Sequence, residues 1–303
     1  MPAKDSSSIL VSGVSGPIGA ALLPSLYARG YQVTRLMRSA TSSGEGQMAW
    51  DPGQALPPES VSGFDAVIHL AGESIVGRWT DAKKARIRDS RVSGTSNLAA
   101  ALAKAPKRPR VLISGSAIGY YGDRGEEVLR EDSAAGKGFL ADVCQAWEAA
   151  TKPAADAGIR TVRIRIGVVL SKAGGALPKM LFPFRMGMGG NMGSGRQWWS
   201  WIDVQDLVGA IHLILKSDLL QGPVNLVAPR PVTNAEFTRT LASALSRPAI
   251  FPMPAFAARL AFGQMADELL LASQRVEPTK LVATGYPFQS PDLRKALENV
   301  LKR

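Results

Sequence analysis

The stretch ILVSGVSGPIGAALLPSLYARG, residues 9–30, constrains the fold more than any other part of the chain. It joins a short β-branched apolar run to an amphipathic run of helical length, with Gly13, Gly16 and Gly19 between them. Pro17 stands where the first turn of a helix tolerates proline, and the last glycine of the stretch is a typical helix-ending residue. The stretch therefore predicts a buried strand, a tight glycine turn and a helix.

Glycines at a spacing of three residues match the turn that holds a dinucleotide in βαβ units. One glycine permits the turn, a second lets the backbone approach a pyrophosphate, and a third lets helix and strand pack closely. The N-terminus of the helix then faces the phosphates. The alternative is a strand–helix turn without a ligand, but the alternation that follows favours the dinucleotide. The expected site comprises Gly13, Ser15, Gly16, Pro17, Ile18 and Gly19.

Apolar, β-branched runs alternate with segments of helical periodicity through the first half of the chain. The runs are SILVSG, YQVTRLMR, DAVIHLAG, RVLISGS and IRTVRIRIGVVL. This alternation is typical of a parallel sheet that is covered by helices on both faces. We predict an α/β fold, a Rossmann doubly wound parallel sheet with a smaller, mostly helical C-terminal lobe.

The second half of the chain changes in character. LFPFRMGMGGNMGSGRQ is rich in glycine and methionine and is predicted to be a loop, whereas GPVNLVA is predicted to be a strand. WIDVQDLVGAIHLILK is predicted to be a helix with Asp203 near its start, where a carboxylate suits the helix dipole. We predict that the Rossmann domain comprises residues 1–177 and 202–227, and the smaller lobe residues 178–201 and 228–303.

Helical periodicity over about residues 81–104 places a charged residue, Arg91, on the apolar side of the predicted helix. Arg91 falls within roughly 60° of three apolar residues, Ile87, Leu98 and Leu102, on the helical wheel. It is therefore predicted to lie on the buried stripe of this helix.

The end of the second predicted strand indicates which dinucleotide is bound. An NAD site usually has Asp or Glu about 20 residues after the glycine turn, where it binds the ribose 2′-hydroxyl. VTRLMRSATSSG has no acid before Glu45 and instead carries Arg35, Arg38 and Ser39. Because arginine meets a 2′-phosphate through several donors, we expect NADP(H) in preference to NAD(H), with Arg38 and Ser39 in the site. A solvated strand-end arginine is the alternative.

Composition narrows the remaining classes of function. One cysteine and two histidines argue against a disulfide framework and a structural zinc site, so we predict no metal. The net charge of +11 fits anionic ligands, but the basic residues are dispersed and form no nucleic-acid module. The stretch MPAKDSSSIL lacks the long apolar core that a secretory signal is expected to have, and no apolar run approaches 18 residues. We expect a cytoplasmic protein with no nucleic-acid partner and no membrane partner.

With these motifs the chain resembles the extended short-chain dehydrogenase/reductase superfamily, which includes the nucleotide-sugar epimerases. SGVSGPIG, DAVIHLAG, GTSNLAAAL and SGSAIGYYGD correspond to its glycine loop, cofactor-contacting strand end, following helix and catalytic-serine strand. The resemblance implies a Rossmann domain and an NADP-type cofactor. It adds to the expected cofactor site the residues Leu70, Ala71, Gly72, Ser114, Gly115 and Gly167.

Three further motifs are similar to one NAD-dependent epimerase/dehydratase-like subgroup that has its own C-terminal extension. They are LAGESIVGRWT, GSGRQWWSWIDVQDLV and RPAIFPMPAFAARLAFGQMADELLLASQRVEPTKL. Members are often labelled only as epimerase-family proteins, and some carry an old cell-division-inhibitor label. The resemblance covers nearly the whole chain and implies a small C-terminal lobe, but it names no substrate.

Enzymes of the superfamily use a set of Asn, Ser, Tyr and Lys residues for proton transfer with the substrate. This chain departs from that set. Ser116 matches the serine that orients the substrate oxygen, but Arg91 stands in place of the asparagine. Neither register of the Tyr-x-x-x-Lys motif offers a phenol or an ammonium group. The motif falls on Phe139 and Val143 in one register and on Leu140 and Cys144 in the other.

Other residues are therefore candidates for proton transfer. Tyr121 matches a superfamily tyrosine near the substrate, and Glu73 directly follows the L-A-G strand end as an acid or base. The alternatives are ring packing for Tyr121, and a solvated or capping carboxylate for Glu73. Cys144 is expected to be a packed core thiol. The expected substrate pocket comprises Trp79, Arg91, Tyr120, Arg196, Gln197 and Trp201, with Arg196 suited to an anionic substrate.

Two functions remain open at this point. The first is an NADP(H)-dependent oxidoreductase or epimerase-like enzyme for a small, anionic substrate, with Ser116, Tyr121 and Glu73 as its catalytic residues. The second is a non-catalytic NADP(H)-binding sensor or interaction protein. Pairing through helices near residues 81–104 and 138–157 is common in the superfamily, so a homodimer is compatible with either function.

Overall fold

The computed structural model describes residues 7–38 and 46–302. Ser39, which is expected in the cofactor site, lies outside these ranges. The strands are β1 (Ser8–Ser12), β2 (Gln32–Met37), β3 (Gln47–Ala49), β4 (Ala66–His69), β5 (Val111–Ala117), β6 (Val128–Leu129), β7 (Arg160–Ile166), β8 (Val168–Leu170), β9 (Trp198–Trp199), β10 (Trp201–Asp203), β11 (Gly222–Leu226), β12 (Val232–Thr233) and β13 (Arg275–Val276). The helices are α1 (Pro17–Ala28), α2 (Asp81–Lys104), α3 (Phe139–Ala149), α4 (Lys152–Asp156), α5 (Ala176–Arg185), α6 (Val204–Lys216), α7 (Asn234–Leu245), α8 (Ala255–Phe262), α9 (Thr279–Ala283) and α10 (Leu293–Lys302).

A seven-stranded sheet organises the fold, in the order β11-β7-β5-β4-β1-β2-β3. Every neighbouring pair in this sheet is parallel. Because the carboxyl ends of parallel strands meet at one edge, the loops that follow β1, β2, β4, β5 and β7 converge there. The predicted α/β Rossmann sheet is confirmed.

Alternate residues of β1 show why both faces of the sheet must be covered. Ile9 and Val11 belong to a core that contains Leu22 of α1, together with apolar residues of α6. Leu10, between them in sequence, belongs to a different core that contains Leu98 of α2. Since successive strand side chains point to opposite faces, the uninterrupted apolar run places one helical layer on each side.

The predicted limits of α2 are confirmed at Asp81 and Lys104. Thr80 caps this helix, because its hydroxyl accepts a hydrogen bond from the Lys83 backbone N–H over 3.2 Å. Asp203 caps α6 in the same way and accepts from the Gln205 N–H over 2.9 Å. These starts follow the ordinary preference for Thr and Asp at the N-cap.

The run IRTVRIRIGVVL, predicted as one strand, is two strands that separate at Gly167. The first, β7, lies in the main sheet, whereas β8 pairs with β10. A Cβ atom on Gly167 would lie 2.6 Å from the Ser200 carbonyl oxygen, so the close approach of another backbone segment accounts for the break.

A second apolar core is built by the C-terminal part of the chain. Leu177, Leu181 and Phe184 of α5 pack in it with residues of α7 and α10, including Phe237 and Leu297. The prediction of a loop from residue 181 is therefore wrong over 181–185, where α5 continues. The spacing of the three α5 residues is helical, and the nearby glycines and proline mask it. The domain boundaries given above stay a prediction.

Candidate functional site

The glycine turn after β1 is tightly packed at two of its three glycines. Gly13 has a φ of +74°, and a Cβ atom there would lie 2.5 Å from both the carbonyl carbon and the oxygen of Leu70. A Cβ atom on Gly19 would lie 2.5 Å from the Gly13 carbonyl oxygen. Close packing within the protein thus requires glycine at both positions, and the positive φ requires it at Gly13 as well.

Gly16 differs, because the protein leaves space where its side chain would be. A Cβ atom there would meet the Gly13 carbonyl oxygen at 3.4 Å, which is an ordinary contact. Gly16 is the N-cap residue of α1 and supplies no capping side chain, and Pro17 follows in the first turn. Backbone N–H groups at such a helix start, approached over a glycine, are suited to a pyrophosphate. The residues present therefore fit a dinucleotide.

The predicted cofactor residues meet at the carboxyl edge of the sheet. Gly13 packs on the segment that follows β4, because a Cβ atom on Gly13 would contact Leu70 and the Ala71 nitrogen. Arg38 follows β2 and is exposed, and its charge is one of those that lower the pKa of Glu73. Arg38 is thus close enough to influence the loop after β4 electrostatically. Ser15 is exposed on the same turn.

Ser114, Gly115 and Gly167 lie at the same edge, and packing explains their residue types. Ser114 is fully buried, and its hydroxyl donates to the Gly115 carbonyl oxygen over 3.3 Å. A Cβ atom on Gly115 would lie 2.9 Å from the Trp147 ring, and Gly167 is equally restricted by Ser200. Their contact with a cofactor stays a prediction.

A buried polar chain lies beneath this edge, and no local sequence motif signals it. His69, at the end of β4, is 2.6 Å from the Ser12 hydroxyl through Nδ1 and 3.1 Å from the Thr95 hydroxyl through Nε2. The Trp147 indole N–H donates to Thr95 over 2.9 Å. Burial lowers the pKa of His69 to about 4, so the imidazole is neutral at pH 7. The chain of hydrogen bonds holds in place the strand end on which the predicted site rests.

Ser116 contacts a buried ion pair. Its hydroxyl donates to Glu148 Oε1 over 2.8 Å. Arg165 meets both oxygens of the same carboxylate, Nε to Oε1 at 2.7 Å and Nη2 to Oε2 at 3.0 Å. The side chains of Arg165 and Glu148 are only 3% and 7% exposed. Charge-assisted bonds to a bidentate guanidinium make this carboxylate a rigid anchor for the serine hydroxyl.

Tyr121 belongs to the same cluster. Its hydroxyl lies 2.7 Å from Asn225 Oδ1 and 2.9 Å from the Arg130 carbonyl oxygen, and it accepts from Arg165 Nη1 over 2.9 Å. Burial raises the pKa of Tyr121 to about 12. The neighbouring Tyr120 ring stacks on the Arg165 guanidinium at 3.5 Å. A hydroxyl held inside the protein in this way favours the packing interpretation of Tyr121 over proton donation.

Leu140 and Cys144 face the turn that follows β5. A Cβ atom on Gly119 would lie 3.3 Å from the Leu140 Cβ and 3.8 Å from the Cys144 sulfur. Phe139 instead packs edge-on against Trp79, with 5.2 Å between ring centroids. Burial raises the pKa of Cys144 to about 12, so this thiol is neutral, as expected of a core thiol. Leu140 and Cys144 thus lie beside the turn that follows the serine strand, and the register of the Tyr-x-x-x-Lys motif stays a prediction.

Arg91 supplies the cation at this side of the site. Its guanidinium carbon lies 5.1 Å from the Trp147 ring, and its Nη1 donates to the Ile87 carbonyl oxygen over 3.0 Å. A Cβ atom on Gly72 would lie 3.2 Å from the same guanidinium carbon. Burial lowers the pKa of Arg91, and Cys144 is among the groups that act on it electrostatically. Arg91 is half-buried, between Gly72 at the strand end and the Trp147 ring of α3.

Glu73 is held in an ion pair that sequence reasoning missed. Lys83 Nζ lies 2.7 Å from Glu73 Oε1, with the Lys83 and Glu73 side chains 15% and 30% exposed respectively. The Glu73 backbone N–H donates to the Ser90 hydroxyl over 3.0 Å. The hydrogen bond from Lys83 lowers the pKa of Glu73, so this group is ionised at neutral pH, which is the form that can accept a proton. Lys83 lies in the first turn of α2, which is what brings it to the loop.

Four residues of the expected substrate pocket have different surroundings. Trp201 is buried in the C-terminal core. Gln197 Nε2 donates to the carbonyl oxygens of Met192 and Leu270. Trp79 is buried, and its indole N–H donates to the Ile75 carbonyl oxygen. Arg196 is exposed. Of these four, Arg196 is therefore the side chain available to a charged ligand.

Two other features, a metal site and a membrane-spanning helix, can be assessed for residues 7–38 and 46–302. No group of three or more His, Cys, Asp or Glu side chains in these ranges is arranged to hold a metal ion. No helix within them combines the length and the apolar character that crossing a membrane requires.

Known proteins share both the sequence and the fold. The epimerase family protein Mb2239 of Mycobacterium bovis is 43% identical over 291 residues, which cover 95% of this chain and 96% of the relative. The crystal structure of human epimerase family protein SDR39U1 (isoform 2) with NADPH is 37% identical, with a TM-score of 0.89, and the match covers 98% of this chain and 99% of that one. A nucleoside-diphosphate sugar epimerase from Corynebacterium glutamicum is also 37% identical, with a TM-score of 0.82, over 97% of this chain and 58% of that chain.

The family matches agree with the two parts of the sequence that carried the resemblance. The domain of unknown function DUF1731 matches residues 253–300, which include most of the C-terminal motif. The NAD dependent epimerase/dehydratase family matches residues 9–226, from the first strand of the sheet to the last. The chain belongs to the NAD dependent epimerase/dehydratase family.

Proposed function

We propose that this chain binds NADP(H) at its glycine turn and acts with it as an oxidoreductase or epimerase-like enzyme on a small substrate. The observation that carries the proposal is the space over Gly16 at the uncapped start of α1. The human relative that is 37% identical was crystallised with NADPH, which supports the same class of cofactor here. Gly13 and Gly19 hold the turn, and Gly16 admits the pyrophosphate.

NADP(H) is proposed over NAD(H) because of Arg38. This arginine is exposed at the end of β2, where the second strand of such folds meets the adenosine ribose. We expect Arg38→Ala to weaken NADPH binding by about 10- to 100-fold, since a hydrogen bond to a charged group contributes about 1.5–3 kcal/mol. NADH binding is expected to change little.

Fluorescence titration with NADPH and NADH measures both affinities. Arg239→Ala serves as the matched control, because Arg239 is an exposed arginine on α7. Equal losses for the two dinucleotides, or no loss for either, would contradict the role of Arg38.

In the proposed reaction the cofactor supplies hydride transfer. The protein positions the substrate and transfers one proton to or from it. Ser116 orients a substrate oxygen, with its hydroxyl held by the Glu148–Arg165 pair. Glu73, ionised beside Lys83, accepts the proton of the substrate hydroxyl in the oxidation direction, and its protonated form returns that proton to the carbonyl oxygen in the reduction direction. Arg196 attracts an anionic substrate group. Tyr121 serves the packing of the site wall rather than proton transfer.

Arg91 provides the fixed positive charge that the Tyr-x-x-x-Lys lysine provides in the superfamily. It reaches the site from α2 instead of α3, and it remains protonated at any working pH although burial lowers its pKa. We expect Arg91→Met to reduce kcat/KM by about 100-fold, the usual loss for one electrostatic stabiliser. Arg91→Lys is expected to retain more activity than Arg91→Met.

The measurement is NADPH consumption across a panel of carbonyl and sugar-nucleotide substrates, followed by the two variants on any substrate that turns over. Ser116→Ala is tested alongside. Turnover that survives Arg91→Met or Ser116→Ala unchanged would contradict the assigned roles.

A second candidate is a non-catalytic NADP(H) sensor. The observation that favours it is the apolar pair Leu140 and Cys144 beside the serine strand, together with the Tyr121 hydroxyl held inside the protein. Tight NADPH binding, no turnover on the panel and a protein partner whose binding depends on NADPH would support this function over the enzyme.

A further inference from the structure

A cleft of about 790 Å³ lies on the sheet face that α3 and α4 cover, away from the glycine turn. Its floor is the start of β7, residues Arg160, Thr161 and Arg163, together with Gly222 at the start of β11. The cofactor residues follow the opposite, carboxyl ends of the strands. This cleft is therefore separate from the proposed NADP(H) site.

The walls of the cleft carry more positive than negative charge. Glu148 is its one lining acid among the described residues, and both oxygens of that carboxylate are occupied by Arg165. The lining cations are Lys152, Arg160, Arg163 and Lys280. Lys152 pairs with Asp156 on the surface, and Arg160 donates to the carbonyl oxygens of Leu220 and Ile214 and lies near Asp218.

The other two lining cations, Arg163 and Lys280, have fewer polar partners than Lys152 and Arg160. Arg163 Nε is buried and has no hydrogen-bond partner within the part of the chain that the structure describes. Lys280 Nζ donates to the Gln221 carbonyl oxygen over 2.8 Å. The two head groups flank one point, because a Cβ atom on Gly222 would lie 3.4 Å from Arg163 Nη2 and 3.8 Å from Lys280 Nζ.

The energetics of this pair favour an added negative charge. Burial lowers the pKa of Lys280, and the charges of Arg163 and Arg165 lower it further. Glu131 opposes this shift, but its Oε1 already accepts from the backbone N–H groups of Lys280 and Asn225. Two cations that share a partly buried wall repel each other, and an anion between them removes that repulsion and accepts hydrogen bonds from both head groups.

We propose that this cleft binds a phosphate-bearing small molecule, with its anionic group between Arg163 and Lys280. Arginine presents several donors in a planar fork, which fits phosphate oxygens, and lysine adds a point charge. The volume of about 790 Å³ accommodates a metabolite larger than the phosphate group alone. Binding in this cleft does not depend on the enzymatic role proposed for the glycine-turn edge.

The test is calorimetric titration of the full chain with inorganic phosphate and with pyrophosphate, both in the presence of saturating NADPH. Saturation with NADPH removes the glycine turn as a competing phosphate site. We expect pyrophosphate to bind more tightly than phosphate, and Arg163→Gln and Lys280→Gln each to weaken it by at least about tenfold, as lost charge-assisted bonds should. Arg239→Gln, on an exposed arginine of α7, is expected to leave binding unchanged.

Thermal melting of each variant verifies folding. Lys280→Gln changes a partly exposed side chain, so this variant keeps the test valid if Arg163→Gln is unstable. Absence of saturable binding at millimolar concentrations overturns the proposal. Binding that both variants leave unchanged also overturns it, because the anion then lies elsewhere.

Discussion

Replacing Glu148 with alanine is expected to lower the free energy of unfolding by about 3–5 kcal/mol, the range found when one partner of a buried ion pair is removed. Glu148 and Arg165 are 7% and 3% exposed, so the guanidinium left behind would be a buried charge without its carboxylate. The change also removes the acceptor of the Ser116 hydroxyl. Urea denaturation followed by circular dichroism measures the difference.

Asp156→Ala is the matched control for this prediction. Asp156 forms an ion pair with Lys152 at 2.7 Å, but these side chains are 60% and 71% exposed. An exposed pair four residues apart contributes about 0.3–0.5 kcal/mol, so the control should change little. A loss for Glu148→Ala as small as that of the control would contradict the buried pair.

Gly13→Ala is expected to be the most damaging single change in the glycine turn. The new methyl group would lie 2.5 Å from the Leu70 carbonyl group, and the φ of +74° is strained for alanine. Strain of this kind alone costs about 1–3 kcal/mol, and the clash forces the turn away from the strand end. We expect a clear fall in melting temperature and loss of NADPH binding.

The matched change is Gly16→Ala, three residues later in the same turn. Its methyl group would make an ordinary contact at 3.4 Å, so the fold should tolerate it. If Gly13→Ala melts at the same temperature as Gly16→Ala, the close packing of Gly13 on Leu70 is contradicted.

The parts of the fold that can be predicted from the sequence are those coded by neighbouring residues. The strand, turn and helix over 9–30 follow from glycine and proline chemistry within one stretch, and helical periodicity predicts α2 over about residues 81–104. The errors arise where distant segments decide. Gly167 breaks a strand because Ser200 approaches it, and α5 continues through a proline because its apolar face packs on α7 and α10.

The same distinction holds for the candidate site. The glycine turn and Arg38 are readable from local sequence, and helical periodicity places Arg91 on the buried stripe. The cluster of Ser116, Glu148, Arg165 and Tyr121 is not readable in this way, because its members come from separate strands and helices. Arg165 reaches Glu148 across 17 residues of chain and Tyr121 across 44. Only the folded structure shows that the Tyr121 hydroxyl is hydrogen-bonded inside the protein.

The central claim, that the glycine turn holds NADP(H), is tested most directly by titrating NADPH into the unaltered chain and into Gly16→Ala. We predict saturable binding of one NADPH per chain. Gly16→Ala is expected to melt within about 1 °C of the unaltered chain, a change below about 1 kcal/mol, yet to bind NADPH at least about tenfold more weakly. Equal NADPH affinity for the two proteins would contradict the claim, because the space over Gly16 would then not be the place of the pyrophosphate.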